Sequence, residues 1–512
     1  MLFANALFAN SKNGVPIEMQ KLIMAYRTIS SLYVDDVDEA KIVEESIISM
    51  LEELDPHSSY TSAEDVKKMN EPLQGNFDGI GIQFNVLNDT LIVTSPIAGG
   101  PSEKVGIRAG DRIIKVGATT IAGVEFGQNK MVELLRGKKG TKVKVEVKRK
   151  GENETLTFTI TRDKIPIYSI GASYMASPNI GYIKIDRFAA STYKEFMEAI
   201  FKLKEMGMQK LILDLQNNAG GYMKPAIEIT DQLLSSDKLI VYTEGRKSPK
   251  QNFTSQKNGT FEDGGLVVLV DEGSASASEI LAGAIQDWDR GLIVGRRTFG
   301  KGLVQKPFMM PDGSMIRLTV ARYHTPTGRY IQKPYVKGEK EEYNTDLMHR
   351  YDNGEMVNID SINFPDSLKY RTLIENRIVY GGGGITPDIF IPIDTTSYSE
   401  FHGEVVSKGV LNDFMLNYTD KNRDALSKKY KDFETFNSDY SVTEDIFQEL
   451  VAAAAKDSIE YDEKEFAVSH DYLFLQIKAL IARDLFDMSE YYQIMNLRNE
   501  SFTKAIELLN EN

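Results

Sequence analysis

The hydrophobic pattern of this chain of 512 residues changes three times, and each change marks a different kind of folded region. Apolar residues three and four positions apart predict helices over about residues 16–70. Short alternating strands with glycine turns follow over about residues 72–163. Strands then alternate with helices over about residues 180–391, which favours a largely parallel sheet, and a helical pattern returns from about residue 397. The sequence therefore predicts a multidomain α/β protein with helical regions at both ends.

These three changes, together with a separate stretch at the N-terminus, divide the chain into five segments. They are residues 1–14, a remnant of an export signal; 15–71, an N-terminal helical region; 72–163, a β-rich module; 164–395, an α/β core; and 396–512, a C-terminal helical region. The first segment contains Ala4-Asn5-Ala6, which is similar to the end of an export signal but lacks the basic start of a complete one. An ordinary frayed terminus is the alternative. No later run approaches the roughly 18 apolar residues of a membrane helix, so we expect no integral span in the mature chain.

Local signals predict several elements within these segments. A helix is expected over 128–135, strands over 180–185, 210–215, 239–243, 266–270 and 292–294, and a hairpin from 304 to 322 with its turn at Asp312-Gly313. A helix over 192–206 is expected to begin with Thr192 and Glu195 as a capping box. Residues 335–380 are polar and predict an irregular insertion.

Composition excludes several classes of function. The net charge of −14 repels a phosphate backbone, so nucleic acid is not an expected partner. Cysteine is absent, which excludes disulfides, a thiol nucleophile and cysteine metal sites, and suits an oxidising compartment without proving one. The histidines are His57, His324, His349, His402 and His470. No two of them have the spacing of a metal-binding HExxH helix, so we expect neither a metal nor another cofactor.

A serine-rich stretch follows the predicted strand over 266–270. Residues 273–280 read Gly-Ser-Ala-Ser-Ala-Ser-Glu-Ile and open a helix. A hydroxyl at a helix N-terminus lies beside unpaired backbone N–H groups, which suits a nucleophile and an oxyanion. Serine at a helix start is more often only a cap. On this stretch alone, Ser274, Ser276 and Ser278 remain equal candidates.

A second stretch, Phe299-Gly300-Lys301-Gly302, places a lysine between two glycines at the entrance to a strand. A lysine is usually a solvated surface charge, but a buried lysine loses its proton more easily and can act as a general base. Pairs of serine and lysine are a known variant of nucleophilic catalysis. Because histidine is scarce, Lys301 is the natural base to pair with one of the serines.

Together these two stretches resemble the carboxyl-terminal processing proteases, the tail-specific serine peptidases. In that family the middle serine of the motif is the nucleophile and the lysine lies 25 residues further on, which matches Ser276 and Lys301. The supporting glutamine of the family matches Gln305, and we expect it to orient the lysine by a hydrogen bond. The resemblance implies a ClpP/crotonase-like α/β protease core.

A third stretch, residues 211–221, resembles the strand of the family that ends in Asn-Asn-Pro-Gly-Gly, with Ala219 in place of the proline. The backbone of Gly220 or Gly221 is expected to supply one oxyanion donor, and the N–H of Ala277 the other. Removing one such donor costs on the order of 10²–10³ in rate. An ordinary turn into the next helix is the alternative.

The β-rich module resembles a PDZ domain inserted into the protease. Its carboxylate-binding loop matches Gly79, Ile80, Gly81 and Ile82. Backbone N–H groups of such a loop capture a chain terminus, and the peptide then adds as a strand. Arg136 matches an arginine of the family that is thought to help switch the protease on, although an arginine at a helix end is often only a favourable dipole contact.

The resemblance implies a serine endopeptidase that binds free, apolar C-terminal tails of proteins and cleaves through an acyl-enzyme. It further implies a location outside the cytoplasm, in the periplasm, with membrane association left open. A homo-oligomer or an activating adaptor is an expectation of the same kind. The main alternative is a catalytically silent PDZ-containing scaffold on the same fold, and a crotonase-like acyl-CoA enzyme is a weaker one.

Overall fold

A computed structural model describes residues 15–87, 89–124, 126–256 and 258–511. The predicted export-signal remnant therefore lies outside the described residues. The chain divides into two compact units. The first combines the N-terminal region up to Ala63 with Gln305–Thr319 and Tyr335–Asn344, and the second contains the rest.

Seventeen α-helices form in the described part of the chain. They are α1 (Ile17–Leu32), α2 (Glu39–Glu52), α3 (Ala63–Gln74), α4 (Pro101–Lys104), α5 (Gln128–Leu135), α6 (Thr192–Glu205), α7 (Met223–Leu233), α8 (Ala277–Asp287), α9 (Lys340–Asp352), α10 (Glu400–Ser407), α11 (Val410–Lys429), α12 (Phe433–Asp439), α13 (Glu444–Lys456), α14 (Glu463–Phe466), α15 (His470–Leu485), α16 (Met488–Met495) and α17 (Glu500–Glu511). Of the helices described, none is both long and apolar enough to cross a membrane.

Twenty-one strands are described. They are β1 (Ser59–Thr61), β2 (Asn76–Gly79), β3 (Ile82–Leu87), β4 (Thr90–Pro96), β5 (Arg112–Val116), β6 (Thr119–Thr120), β7 (Lys142–Lys148), β8 (Leu156–Thr161), β9 (Asp163–Pro166), β10 (Ile170–Ser177), β11 (Ile180–Ile185), β12 (Lys210–Asp214), β13 (Leu239–Gly245), β14 (Ser248–Thr254), β15 (Leu266–Val270), β16 (Leu292–Gly295), β17 (Leu303–Met309), β18 (Met315–His324), β19 (Lys369–Arg371), β20 (Ile378–Tyr380) and β21 (Ile389–Phe390). The predicted helix over 128–135 and the hairpin around residues 312–313 are confirmed.

The second unit is built on a six-stranded sheet in the order β10-β11-β12-β15-β16-β21. All neighbours in it run parallel except the antiparallel pair β10–β11. Strand residues alternate between two apolar layers, as in β12, where Leu211 and Leu213 lie in one cluster and Ile212 in the other. Such a sheet, buried on both faces, explains why its strands are nearly continuous apolar runs.

Helices cover both faces of this core sheet. The first face packs against α6, α7 and α8, whose buried Phe196, Ile229 and Leu281 share one cluster with it. The second face packs against α17, through Ala505 and Leu509. Helix α17 is therefore part of the packing of the α/β core, although the sequence places it in a separate C-terminal region.

The β-rich module forms an antiparallel sheet in the order β3-β4-β5-β7-β8, with β6 paired to β5 and helix α5 packed on its apolar core. The chain enters this module through β2 and leaves it through β9, and these two strands pair antiparallel from Asn76↔Pro166 to Gly79↔Asp163. This two-stranded stem is the covalent connection between the module and the core. Helices α10 to α16 contribute to a further apolar core.

In the first unit, β1 pairs antiparallel with β18 from Ser59↔Arg317 to Thr61↔Met315. The turn before β1 is fixed by Asp55, which accepts hydrogen bonds from the N–H of Ser58 (2.9 Å) and the hydroxyl of Thr319 (3.0 Å). The break that Pro56 predicts in the helical pattern is thus an ordered turn.

Two local predictions are wrong. The hydroxyl of Thr192 accepts from the N–H of Ala189, while Glu195 accepts from the N–H of Ser169 at 2.7 Å, so these residues form no capping box. Glu195 instead binds a segment that is distant in sequence. The insertion over 335–380 is not irregular throughout, since it contains α9 and the β19–β20 ribbon.

Candidate active site

The three serines of the predicted motif lie in different environments. The hydroxyl of Ser274 donates to the carbonyl of Leu215 (2.8 Å), and that of Ser278 donates to the carbonyl of Asn218 (2.8 Å). Both serines are fully buried, whereas Ser276 is half-buried. Ser274 and Ser278 therefore fasten the loop that precedes α8, and Ser276 is the serine that a ligand could reach.

Ser276 lies at the start of α8 in a strained backbone conformation, with φ of +56° and ψ of −110°. A non-glycine residue held there costs about 1–3 kcal/mol, which the surrounding contacts must offset. Strain of this kind is common where a turn between a strand and a helix presents a side chain to a ligand.

Glu279 connects the serine loop to the lysine loop. Its fully buried carboxylate accepts from the N–H of Ser276 (2.8 Å), the N–H of Lys301 (2.9 Å) and the N–H of Gly300 (2.7 Å). The hydroxyl of Thr298 supplies a fourth hydrogen bond at 2.6 Å. Burial raises the pKa of Glu279, while the four donors counteract part of that rise by stabilising the charged form.

Tyr323 connects the same two loops on their carbonyl side. Its buried hydroxyl donates to the carbonyl of Ser276 at 3.1 Å and to the carbonyl of Lys301. The backbones of Ser276 and Lys301 are thus held together twice, once through their N–H groups and once through their carbonyls. The lysine is half-buried, and the glycines on either side of it admit close neighbours.

The glycine-rich loop after β12 lies against the serine turn. Gly220 has φ of +98°, and a Cβ there would lie 2.9 Å from the Cβ of Ser276. Gly221 has φ of +145°, and a Cβ there would lie 2.2 Å from the carbonyl oxygen of Phe188. Both positions therefore require glycine for conformation and for space. The carbonyl of Asn218 also accepts from the N–H of Ala275, which joins the two loops.

The backbone donors around Ser276 are not equivalent. The N–H of Gly220 donates to the side-chain oxygen of Asn218 at 2.9 Å. In the part of the chain that the structure describes, the N–H groups of Gly221 and Ala277 donate to no acceptor. Of the three predicted oxyanion donors, these two are the ones available to a ligand.

Gln305 lies in the first unit. Its side-chain amide donates to the carbonyl of His57, and the ring of His57 is in turn hydrogen-bonded to the hydroxyl of Tyr343 at 2.8 Å. The orientation of Lys301 by Gln305 stays a prediction.

The predicted carboxylate loop of the β-rich module connects β2 to β3. Gly81 has φ of +73° and packs against Ile165 and Pro101, so a side chain would not fit there. Ile80 is buried, and its carbonyl is held by the N–H and the hydroxyl of Ser102. In the described chain, the N–H groups of Ile80 and Gly81 donate to no acceptor. The loop is therefore ordered and presents free donors.

Beside this loop, β3 is the outer strand of its sheet, and the half-buried Ile82 and Phe84 pack on the apolar core near α5. Arg136, at the end of α5, forms an ion pair with the buried carboxylate of Glu71 in α3, and its guanidinium lies 4.7 Å from the ring centre of Phe77. In this conformation Arg136 therefore contacts the segment that leads into the stem.

The structure identifies three residues at this site that the sequence analysis did not: Glu279, Tyr323 and Asn218. Glu279 follows Ser276 by three positions, and this capping-box spacing could have revealed it. Tyr323 acts through contacts between distant segments, which carry no local signal, whereas the Asn218 side chain accepts from Gly220 two residues on, a local turn that asparagine favours. Within the described residues, no group of three or more acidic or histidine side chains is placed to hold a metal ion.

Comparison with known families gives four matches. Residues 179–340 match peptidase family S41, residues 79–160 match the PDZ domain, and residues 5–65 match the N-terminal domain of the activating protease CtpB. Residues 401–487 match a family of unknown function.

Similar proteins agree with these matches. The carboxy-terminal processing protease CtpA of Bacillus subtilis (strain 168) is 38% identical over 331 residues, which cover 64% of this chain and 70% of that protein. The carboxy-terminal-processing protease of Bartonella bacilliformis is 34% identical, with 65% and 76% covered.

Among solved structures, the photosystem II D1 C-terminal processing protease is 26% identical, with a TM-score of 0.36, and the match covers 74% of this chain and 94% of that one. By its sequence, this chain belongs to the carboxy-terminal processing proteases, the serine peptidases of family S41 that carry a PDZ domain.

Proposed function

We propose that Ser276 is the nucleophile of this peptidase and Lys301 its general base, and that the PDZ domain captures the free C-terminus of the protein to be cleaved. The observation that carries the proposal is the carboxylate of Glu279, which binds the backbone N–H of both residues. Two residues 25 positions apart are thereby kept in one fixed relation.

In the proposed reaction, the neutral amine of Lys301 accepts the hydroxyl proton of Ser276 as its oxygen attacks the carbonyl carbon of the substrate. The N–H groups of Ala277 and Gly221 stabilise the oxyanion that develops. Lys301 then gives the proton to the leaving amine, and an ester to Ser276 remains. Water, deprotonated by the same lysine, hydrolyses this ester. Gln305 is the proposed partner that orients the lysine.

Tail capture is proposed to use the loop between β2 and β3. The free N–H groups of Ile80 and Gly81 would bind the terminal carboxylate, and the preceding residues would add as a strand beside β3. The half-buried Ile82 and Phe84 favour apolar side chains in the tail. A location outside the cytoplasm is part of the proposal and is supported by the absence of cysteine from the sequence.

The Ser276→Ala variant should lose peptidase activity by at least about a thousandfold, because the other two serines of the motif are buried where a substrate cannot reach them. Intact-mass analysis of an unstructured protein with an apolar free C-terminus measures the loss. Ser278→Ala is the matched control: it removes one hydrogen bond that fastens the loop but keeps the nucleophile, so it should lose far less activity than Ser276→Ala. Comparable cleavage by Ser276→Ala would contradict the assignment of the nucleophile. Absence of cleavage by the wild type would favour the silent scaffold.

Lys301→Arg should be as inactive as Ser276→Ala. Arginine keeps the positive charge but does not lose its proton in proteins, so it cannot act as a base. The same substrate and mass analysis apply. If Lys301→Arg retained a large part of the wild-type rate, the lysine would contribute only its charge, and the proposed base would be wrong.

Glu279→Gln should lower kcat about 10- to 100-fold, since the amide nitrogen of glutamine replaces one acceptor oxygen and leaves at least one backbone N–H unpaired. KM and the affinity for a tail peptide should change little, because Glu279 positions the two loops and does not contact substrate. Glu272→Gln, which breaks an ion pair with Arg296 in the same region, is the control. Equal effects of both substitutions on kcat would argue against the positioning role.

Amidation of the substrate's C-terminus should reduce the cleavage rate about tenfold or more at low substrate concentration, because the neutral amide offers the loop no charged acceptor. The comparison uses one protein with a free or an amidated tail, followed by mass spectrometry. Equal rates for the two substrates would refute capture of the carboxylate while leaving the proposed nucleophile and base intact.

A further inference from the structure

One face of the PDZ sheet points away from the domain's own core. Asn85, Ile92, Arg112 and Lys148 are direct cross-strand partners on β3, β4, β5 and β7. Paired residues of an antiparallel sheet point to the same side. The neighbouring Ile113 belongs to the apolar core of the domain, so this row forms the opposite, outer face. This side of the sheet, marked by these four residues, is the outer face.

Part of the outer face lies against the C-terminal helical region, whereas Lys148 on β7 is exposed. Ile92 lies on the outer face and outside the PDZ core cluster, yet is only 6% exposed. Helix α11 contacts β3 at the edge of the same sheet. Ile92 is therefore buried on the same face of the sheet that α11 contacts.

Charges are complementary across this interface. Asp420 of α11 forms an ion pair with Arg112 at 2.9 Å, and both side chains are partly buried, at 21% and 34% exposure. Gly110 lies beside it, where an added Cβ would be 3.7 Å from the Asp420 carboxylate. One helical turn further, Asp424 lies 3.5 Å from Lys150, and both of these side chains are exposed. Because the Asp424 pair is exposed it contributes little, and the partly buried pair of Asp420 and Arg112 is the charged contact on which the interface depends.

Helix α11 is itself anchored to the protease core. Its Leu411 and Met415 are buried in the core of the C-terminal region, and Arg423 donates to the carbonyl of Asp484 at 2.8 Å. That region continues through α16 to α17, which packs on the second face of the core sheet. The α11 contact therefore connects the PDZ domain to the sheet that carries Ser276.

The domain is also attached near the point where the chain enters and leaves it, through the two-stranded stem β2–β9 and the ion pair between Arg136 and Glu71. A domain held only there could pivot about its stem. A second attachment on the outer face removes that freedom.

We propose that the C-terminal helical region, including residues 401–487 of the family of unknown function, is a dock for the PDZ domain, and that Asp420 is its central contact. The dock holds the carboxylate loop at a fixed distance from the serine and lysine loops, so that a captured tail leads into the site in one direction. Its consequence for cleavage rests on the proposed function, whereas the docking itself does not.

Hydrogen exchange of the full-length protein tests the docking without any cleavage. In the Ser276→Ala background, Asp420→Arg places two like charges together and should raise amide exchange in β4, β5 and the β2–β9 stem about threefold or more. Adding Arg112→Asp reverses the charges and should return exchange towards the background level. Circular dichroism and thermal unfolding show whether each variant folds, and Asp420→Asn serves as a milder variant if Asp420→Arg does not.

A second arm measures the effect on function. With Ser276 restored, Asp420→Arg should lower the cleavage rate of the free-tail substrate several-fold, while the dissociation constant of a tail peptide stays within about twofold. The charge-reversed double variant should recover cleavage. Asp424→Asn is the matched control on the same helix, and because its ion pair is exposed it should behave as wild type in both arms.

Unchanged exchange in both folded variants, Asp420→Arg and Asp420→Asn, would overturn the proposed dock. So would equal exchange in the single and the charge-reversed double variant. Raised exchange with unchanged cleavage would overturn the positioning role of the dock. If the wild type did not cleave, but Asp420→Arg still raised exchange and the charge-reversed double variant restored it, the dock would be supported and the proposed catalytic residues would not. A failure of the dock can thus be told apart from a failure of the proposed function.

Discussion

The arrangement of the site depends on one buried carboxylate. Glu279 lies in the first turn of α8 and accepts four hydrogen bonds, from the serine turn on one side and from the loop over 298–301 on the other. Burying a charge is costly unless donors compensate for it, and here they all do so from backbone or hydroxyl groups. Through the backbone N–H groups of Ser276 and Lys301, this carboxylate helps to hold both the strained serine turn and the lysine loop. The hydroxyl of Tyr323 connects the same two loops through the carbonyls of Ser276 and Lys301.

The position of these loops follows in turn from the core sheet. The serine turn, the glycine loop and the lysine loop all come after the carboxyl ends of neighbouring parallel strands, β15, β12 and β16. Ligands of open α/β sheets bind at that edge. Burial of the sheet on both faces fixes the strands, and the last helix of the chain, α17, contributes to one of those faces. The C-terminal region thereby affects both the core and the PDZ domain.

Much of this fold could be predicted from the sequence where the signal is local. The strand over 266–270, helix α5 and the hairpin turn have strong periodicity or turn residues, and they form as expected. The predicted capping box of α6 is wrong because Glu195 has a better partner, Ser169, which is distant in sequence. Helix α9 was missed because its residues are mostly polar, so that no apolar stripe marks it.

The site shows the same division between local and distant information. The register of motifs singled out Ser276, and the structure adds a physical reason, since Ser274 and Ser278 are buried and hydrogen-bonded elsewhere. The N–H of Gly220 is occupied by the side chain of Asn218 two residues earlier, a local turn that the sequence analysis did not use to choose between Gly220 and Gly221. The contact between the PDZ outer face and α11, in contrast, is invisible in sequence, since an apolar or charged helix face does not reveal its partner.

One serine, held by Glu279 beside Lys301, is the proposed reactive group. Labelling of the full-length protein with a fluorophosphonate, followed by peptide mapping, is the most direct test because the reagent reports the activated hydroxyl itself. We expect one adduct, on Ser276, and its loss in Lys301→Arg. An adduct on another serine that abolishes cleavage, or equal labelling of Ser276 without the lysine, would contradict it.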